Sequence, residues 1–321
     1  MTDNESHSKI KLGIAKCLLG EKVRYDGSQK LDRYLRDTLG QYVEWVPVCP
    51  EVETGMPIPR EAVRLVGDVD APRLVGRQSG EDWTERMKAW GRHRLKQLKK
   101  AGLCGYVFKY GSPSNGMARV KVYNEKGMPS LTGQGVWAHM VMEAFPNLPF
   151  EDDGRLHDPR LRENFISRVF TLKRWRDTMA NGLSAGKLVD FHTRHKLLIM
   201  AHSVESYRSM GKLVATVGAA KDAELYDDYF KELFKALSYK HTVKKNVNVL
   251  SHAMGYFKKD LTASEKSELL ELIEQYRSGL VPLIVLITMV NHYVRKYDKE
   301  YLSKQYYLTP YPAELMLRNH V

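Results

Sequence analysis

The sequence predicts an α/β unit with a mostly parallel sheet in its first half, followed by an all-α second half. Strand-like and helix-like segments alternate in the first half, and this alternation implies parallel strands joined by right-handed crossovers. After Leu188 the sequence shows helical periodicity and no convincing strand. A chain of 321 residues can bury one large core or two ordinary ones, and the change of pattern favours two domains.

The elements of the first half follow from hydrophobic runs and from the residues that end them. Helical spacing in two segments stops at a glycine, Gly40 or Gly102, which is a common residue just beyond a helix. The predicted strands are Lys9–Cys17, Val43–Cys49 and Gly105–Lys109, and the predicted helices are Ser28–Leu39, Asp82–Ala101 and Val136–Phe145.

The segment Pro146–Asp158 is rich in proline, aspartate and glycine, and this composition predicts a linker. We therefore expect a sheet-containing domain over 9–150, a linker and connecting helix over 151–187, and a helical domain over 188–321. The predicted helices from residue 159 onward are Pro159–Arg176, Leu188–Tyr207, Tyr226–Phe257, Ser264–Tyr276 and Val281–Tyr297, with Ser264 as the N-terminal cap of the fourth.

Composition narrows the class of protein. The opening residues lack the layout of a signal peptide, and the longest apolar stretch, Leu280–Val290, is too short to span a bilayer. Three cysteines do not suggest a disulfide framework, and this number favours a reducing, cytoplasmic location. The net charge of +12 would suit an anionic partner such as RNA, although the sequence has no dense basic block.

Two cysteines lie where a predicted strand ends. Cys17 closes the first strand and Cys49 the second, so both thiols fall at the carboxyl edge, where open parallel sheets place their sites. Cys104 precedes its strand and falls at the opposite edge, about 17–20 Å away for five or six strand residues. We expect Cys104 to be structural.

The loops at this edge supply thiols, a carboxylate, hydroxyls and cations. This inventory suits an iron–sulfur or zinc site with an acid or base beside it, but two thiolates alone do not complete a tetrahedral metal site. The glycines match no dinucleotide or P-loop fingerprint, so no NAD or ATP site is expected.

Three segments of the first half resemble the thiouracil desulfidase (TudS-like) family: CLLGEKVRYDG, VPVCPEVETGMPIPRE and FKYGSPSNGM. Two segments of the second half, FHTRHKLLIMAHS and YPAELMLRNHV, resemble the YbgA-like domain, for which no activity is implied. The first resemblance implies a Rossmann-like domain that holds a [4Fe-4S] cluster on three cysteines. Its open iron would bind the sulfur of a thiolated pyrimidine such as 2-thiouracil, which is hydrolysed to uracil and sulfide.

By position, the resemblance implies that Cys17 and Cys49 are cluster ligands, that Glu51 is the catalytic carboxylate and that Ser112 is the catalytic serine. The chain departs from the family pattern at Asn115, because the family has a third cysteine in that loop position. An amide is a poor ligand for iron–sulfur chemistry. Three outcomes are open: the cluster is lost, it is held by two cysteines and another ligand, or the site has become an apo nucleobase pocket.

Further polar residues of these loops are candidates for contacts to a substrate or anion. They are Arg24, Asp26, Arg60, Lys109 and Ser114, and for the charged ones a surface salt-bridge network is the alternative. The leading hypothesis is a desulfidase-like protein acting on a thiolated pyrimidine. Its rival is a cluster-free protein that binds a nucleobase, a nucleotide or RNA, and a third hypothesis makes the helical half a docking module.

Three histidines of the second half share one face of a predicted helix. At about 100° per residue, His192, His195 and His202 fall within an arc of about 80°. The rise between His195 and His202 is about 10 Å, which is too wide for one metal ion. We expect a polar face that contacts other helices, with an anion site formed with Arg194 and Lys196 as the alternative.

Overall fold

The computed structural model describes residues 9–218 and 223–320, and the chain forms two compact units. The first unit ends at His157 and the second begins at Asp158. All strands of the described chain lie in the first unit, and the second is helical. This arrangement confirms the predicted fold class. Within the described ranges, every helix is too short or too polar to cross a membrane.

The first unit contains two four-stranded sheets within its described residues. Its strands are β1 (Ile10–Ala15), β2 (Val43–Val48), β3 (Val63–Val66), β4 (Arg73–Gly76), β5 (Gly105–Phe108), β6 (Val120–Tyr123), β7 (Pro129–Gly133) and β8 (Phe150–Asp152). Its helices are α1 (Pro50–Glu53), α2 (Thr84–Ala101) and α3 (Val136–Ala144).

The central sheet has the order β2–β1–β5–β8, and every neighbouring pair is parallel. Its core consists of apolar side chains from β1 and β5, such as Leu12, Ile14 and Phe108, which are fully buried. Gly13 lets these strands pack closely, because a Cβ there would lie 2.1 Å from the Tyr106 ring. The three predicted strands are therefore the neighbouring strands β2, β1 and β5 of this sheet, with β2 at one edge.

The second sheet, β4–β3–β6–β7, was not predicted. Two of its three strand pairs are antiparallel, and β3 pairs with β6 in parallel. Each strand has only four or five residues, and β7 is largely exposed, so neither length nor alternation of hydrophobic residues marks them in the sequence.

Two other segments of the first unit differ from expectation. Over Ser28–Leu39 the helix is confined to one π turn at Tyr34–Thr38, because the backbone of Lys30 donates to the Cys17 carbonyl at 2.9 Å. This bond and its neighbours hold the start of the segment against the first loop. The segment predicted as a linker, Pro146–Asp158, contains β8, whose residues pair in parallel with β5.

The second unit is built from helices within the described residues. They are α4 (Pro159–Met179), α5 (Ala185–His202), α6 (Val204–Ala215), α7 (Ala223–Ser238), α8 (Val243–Gly255), α9 (Ala263–Arg277), α10 (Leu283–Lys296) and α11 (Glu300–Ser303). The single helix predicted over Tyr226–Phe257 is two helices, because Thr242 caps α8 at the backbone of Lys245. Thr262, rather than Ser264, caps α9.

The three histidines of α5 are buried in contacts with neighbouring residues. Nδ1 of His192 lies 3.1 Å from Tyr229 Oη, and Nδ1 of His202 lies 2.6 Å from the Tyr239 carbonyl. Nδ1 of His195 lies 2.7 Å from the carbonyl of Phe191 in its own helix. Burial lowers the pKa of His192 to about 4 and that of His202 to about 3. The prediction of a polar face that contacts other helices is confirmed.

Candidate active site

Three loops of the first unit meet at the carboxyl edge of the central sheet, after β1, β2 and β5. The parallel register pairs Ala15 with Val48 at the ends of β1 and β2, so the cysteines that follow each strand lie beside each other in the sheet order. Both Cys17 and Cys49 are buried, at 9% and 6% exposure. The predicted convergence of these two thiols at one edge is confirmed.

Each thiol is held by local backbone structure. Cys17 lies in a 3₁₀ turn over Lys16–Leu19 that ends at Gly20, whose φ of 97° suits glycine. Cys49 is the N-terminal cap of α1, and its backbone N–H donates to Glu53 at 3.0 Å. These turns fix the two sulfur atoms to the end of the sheet.

The third loop, after β5, is fastened on both sides. The backbone N–H of Asn115 donates to Ser112 Oγ at 3.1 Å, and the backbone N–H of Gly116 donates to the Ser112 carbonyl at 2.8 Å. The carbonyl of Ser114 accepts the N–H of Trp137 at 2.8 Å, at the start of α3. The loop is therefore a rigid support for the polar groups it carries.

Glu51 connects the second loop to the third. Its Oε1 accepts a 2.5 Å hydrogen bond from Ser114 Oγ, and its Oε2 lies 3.5 Å from Cys49 Sγ. Ser112 Oγ lies 3.0 Å from Ser114 Oγ, which extends the chain of hydrogen bonds by one hydroxyl. A carboxylate oriented in this way beside a cavity is suited to accept a proton from a bound water.

These loops surround one cavity of about 370 Å³, a size typical of small-molecule sites. The cavity is lined by the predicted residues Cys17, Arg24, Cys49, Glu51, Arg60, Lys109, Ser112 and Asn115. Two predicted residues do not line it. Ser114 lies behind Glu51 and is fully buried, and Asp26 is half-exposed and bonds Ser28.

The cationic residues at the cavity differ in how they are paired. Lys109 forms an ion pair with Asp153 at 2.8 Å, whereas Arg24 contacts Asp26 at 3.7 Å and donates to Ser28 Oγ at 3.1 Å. Arg60 donates both terminal nitrogens to the carbonyl of Val23, at 3.2 and 3.1 Å. A neutral carbonyl does not neutralise the guanidinium charge of Arg60, so that charge can attract an electron-rich ligand in the cavity.

Sequence reasoning missed several lining residues, among them Tyr25, Tyr110 and Lys30. Tyr25 and Tyr110 are about half exposed. Each directly follows a residue that was predicted to contact a ligand, Arg24 or Lys109. Asp153, the partner of Lys109, was missed because it follows β8 in the segment predicted as a linker.

The position of Cys104 at the amino end of β5 is confirmed. Its backbone N–H donates to the carbonyl of Lys11, near the start of β1, while Cys17 follows the end of β1. In residues 9–218 and 223–320, no group of three or more histidine, cysteine, aspartate or glutamate side chains is placed to hold a metal ion. Of the three cysteines, Cys17 and Cys49 line the cavity and Cys104 does not.

Burial and charge keep these two thiols protonated. Burial, and then the charge of Glu51, raise the pKa of Cys17 to about 11 and that of Cys49 to about 12. We expect iodoacetamide to modify both slowly at pH 7, where about one Cys17 thiol in 10,000 and about one Cys49 thiol in 100,000 is ionised, and faster only above about pH 10. Peptide mass spectrometry over a pH series measures this.

A Glu51→Gln variant sharpens this experiment, because it removes one of the charges that raise both pKa values. Modification of the two cysteines at pH 9 should then be faster than in the wild type. Rapid labelling of the wild type at pH 7 would contradict the raised pKa values. Because the pKa of each thiol is higher in the folded state, the stability it contributes is present at neutral pH and is lost as the pH rises above about 9.

The fold and the site define a two-unit protein, with a thiol and carboxylate site at the edge of a parallel sheet and a separate helical unit. The family model for 2-thiouracil desulfurase matches residues 12–153, and the model for a protein of unknown function (DUF1722) matches residues 196–312. A relative, the uncharacterized protein YbgA of Escherichia coli (strain K12), is 32% identical over 161 residues, which are 50% of this chain and 95% of the relative. The chain belongs to the YbgA family.

A solved structure is also similar to part of the chain. It is a [4Fe-4S]-dependent thiouracil desulfidase, TudS, with 28% identity, a TM-score of 0.39, and coverage of 47% of this chain and 95% of the other. The family model for the first unit supports a desulfidase-like role.

Proposed function

We propose that the first unit binds a thiolated pyrimidine, such as 2-thiouracil, and removes its sulfur by hydrolysis. The observation that carries this proposal is the placement of Glu51 in the same cavity as Cys17 and Cys49. That cavity lies within the part of the chain that matches the 2-thiouracil desulfurase family.

In this reaction a water molecule replaces the sulfur atom. Water adds to the carbon of the thiocarbonyl group, and Glu51 accepts a proton from that water and passes it to the sulfur. The carbon–sulfur bond then breaks as the carbonyl of uracil forms, and the second proton of the water leaves with the sulfur. The products are uracil and hydrogen sulfide, so the reaction needs no oxidant or reductant. Ser114 holds the Glu51 carboxylate by its 2.5 Å hydrogen bond, which fixes the direction of the proton transfer.

The surrounding charges favour the departure of sulfur. Lys109 and Arg24 are close enough to lower the pKa of Cys17, although burial dominates that pKa and raises it. The same positive charges would stabilise negative charge that develops on the sulfur of a ligand bound beside Cys17. Both cysteines, as neutral thiols, are weak hydrogen-bond donors to that sulfur.

The residues present do not fit a cluster held by three cysteines. The described cavity offers two thiols, the third loop has the Asn115 amide, and Cys104 lies at the other edge of the sheet. Thiolates are the ligands that iron–sulfur clusters require, and a neutral amide is a poor substitute. The reaction described above therefore uses only the residues of the chain.

The test uses the full chain, purified without oxygen and incubated with 2-thiouracil. We expect uracil and sulfide in equal amounts, measured by chromatography and by a colorimetric sulfide assay. A parallel sample is first treated with ferrous iron and sulfide, and an Asn115→Cys variant serves as the positive control for iron uptake. Formation of no uracil in either sample, together with no binding of 2-thiouracil, would contradict the proposal.

A second candidate function is binding of the same base without turnover. It is favoured by Asn115, whose amide is in place of a thiolate and lines the cavity. Binding of 2-thiouracil by calorimetry without formation of uracil would identify this function.

A further inference from the structure

The side chain of Asn115 has an unsatisfied polar atom. Asn115 is 3% exposed, and its Oδ1 is buried without a hydrogen-bond partner. An amide oxygen that gives up water and gains no donor is destabilising, and such groups are rare in folded proteins. The residue also lines the cavity that contains both thiols and Glu51. A donor supplied by a ligand in that cavity would satisfy it.

The loop leaves Asn115 little freedom to find a partner within the protein. Its own backbone N–H is bound to Ser112 Oγ, and the next residue, Gly116, is packed so closely that a Cβ there would lie 2.6 Å from the Ser112 carbonyl. On the other side, a Cβ on Gly135 would lie 2.5 Å from the carbonyl of Ser114. The backbone around the amide is therefore fixed in advance of binding.

We propose that Asn115 is a specificity-determining residue whose amide oxygen accepts a ring N–H beside the thiocarbonyl group of the bound pyrimidine. This assignment rests on the proposed function. A carbonyl-type oxygen prefers an N–H donor, whereas a cluster at this position would require a thiolate. In 2-thiouracil an N–H lies on each side of the thiocarbonyl carbon, so a base whose sulfur lies near Cys17 and Cys49 brings such a donor to the same cavity wall.

The test is a double-mutant cycle between the protein and the ligand. Calorimetry measures the Kd of the full chain for 2-thiouracil and for its 1-methyl and 3-methyl derivatives, each of which lacks one of these N–H groups. For the wild type, one of the two derivatives should bind about tenfold more weakly or worse. In Asn115→Ala this difference should disappear, while an Asn147→Ala variant, altered in a turn outside the cavity, should keep it.

Two further measurements separate this role from a structural one. Without ligand, Asn115→Ala should unfold at the same temperature as the wild type or higher, because it loses an unsatisfied buried acceptor. A clear drop in that temperature would overturn the assignment. So would wild-type protein that holds four iron atoms per chain after anaerobic treatment with iron and sulfide.

The outcomes also distinguish this assignment from the proposed function. If the wild type binds 2-thiouracil and converts it to uracil, but Asn115→Ala discriminates between the ligands as the wild type does, the assignment fails and the proposed function stands. If the wild type does not bind 2-thiouracil, both fail.

Discussion

Replacement of Glu51 by glutamine is expected to slow the release of sulfide from 2-thiouracil by about 100- to 10,000-fold, the usual contribution of a general base. The substitution keeps the size of the side chain and a hydrogen-bond acceptor for Ser114, which donates to the carboxylate at 2.5 Å. It removes the negative charge that accepts the proton of water. The loss should therefore fall on kcat, with KM little changed.

A matched control is Glu44→Gln, because Glu44 lies on β2, the strand that leads to Cys49, and is half exposed in a 3.7 Å contact with Lys11. That variant should retain wild-type turnover. Thermal unfolding of both variants shows whether either change disturbs the fold. Turnover of Glu51→Gln within a few-fold of the wild type would show that Glu51 is not the base.

The placement of the two thiols at one edge of the sheet could be predicted from the sequence, because each cysteine directly follows its own hydrophobic run. Cys17 and Cys49 each follow a hydrophobic run, and parallel strands bring the ends of such runs to one edge. The same rule places Cys104, which precedes its strand, at the opposite edge of the sheet, and the hydrogen bond from its backbone N–H to the Lys11 carbonyl agrees with that placement.

What could not be predicted depends on pairing between distant segments. Ser114 and Glu51 are 63 residues apart, so their hydrogen bond follows from how the third loop is fastened to α3 and not from any local pattern. Asp153 pairs with Lys109 only because β8 joins the sheet, and three residues are too few for a strand signal. The proposed role of Asn115 likewise needs the position of its amide in the cavity.

The same limit applies to the second unit, where a buried ion pair joins its first helix to the end of the chain. Oε1 of Glu163 in α4 accepts 2.8 Å hydrogen bonds from Arg318 Nε and from Tyr311 Oη. Nε2 of His241 lies 3.1 Å from the other carboxylate oxygen. Both members of the pair are buried, at 2% exposure for Glu163 and 7% for Arg318.

Glu163→Gln is expected to lower the free energy of unfolding of the second unit by about 3–5 kcal/mol, because it leaves the guanidinium of Arg318 buried without its counter-charge. Calorimetric unfolding of the full chain measures this as a shift of one transition. The control is Glu274→Gln, which breaks an exposed pair with Arg277 on α9 and should cost less than about 1 kcal/mol. An effect of Glu163→Gln no larger than that of this control would show that the pair adds nothing to stability.

The pH dependence gives this prediction a sign. Burial alone would raise the pKa of Glu163, but the charge of Arg318 and the contact with His241 outweigh it and hold that pKa far below its usual value. A carboxyl whose pKa is lowered by folding stabilises the fold above its unfolded pKa, about 4.3, and loses that contribution as the pH falls below it. The stability difference between the wild type and Glu163→Gln should therefore be constant from pH 6 to 7 and shrink below about pH 4. A difference that grows on acidification would contradict the assignment of the charge to Glu163.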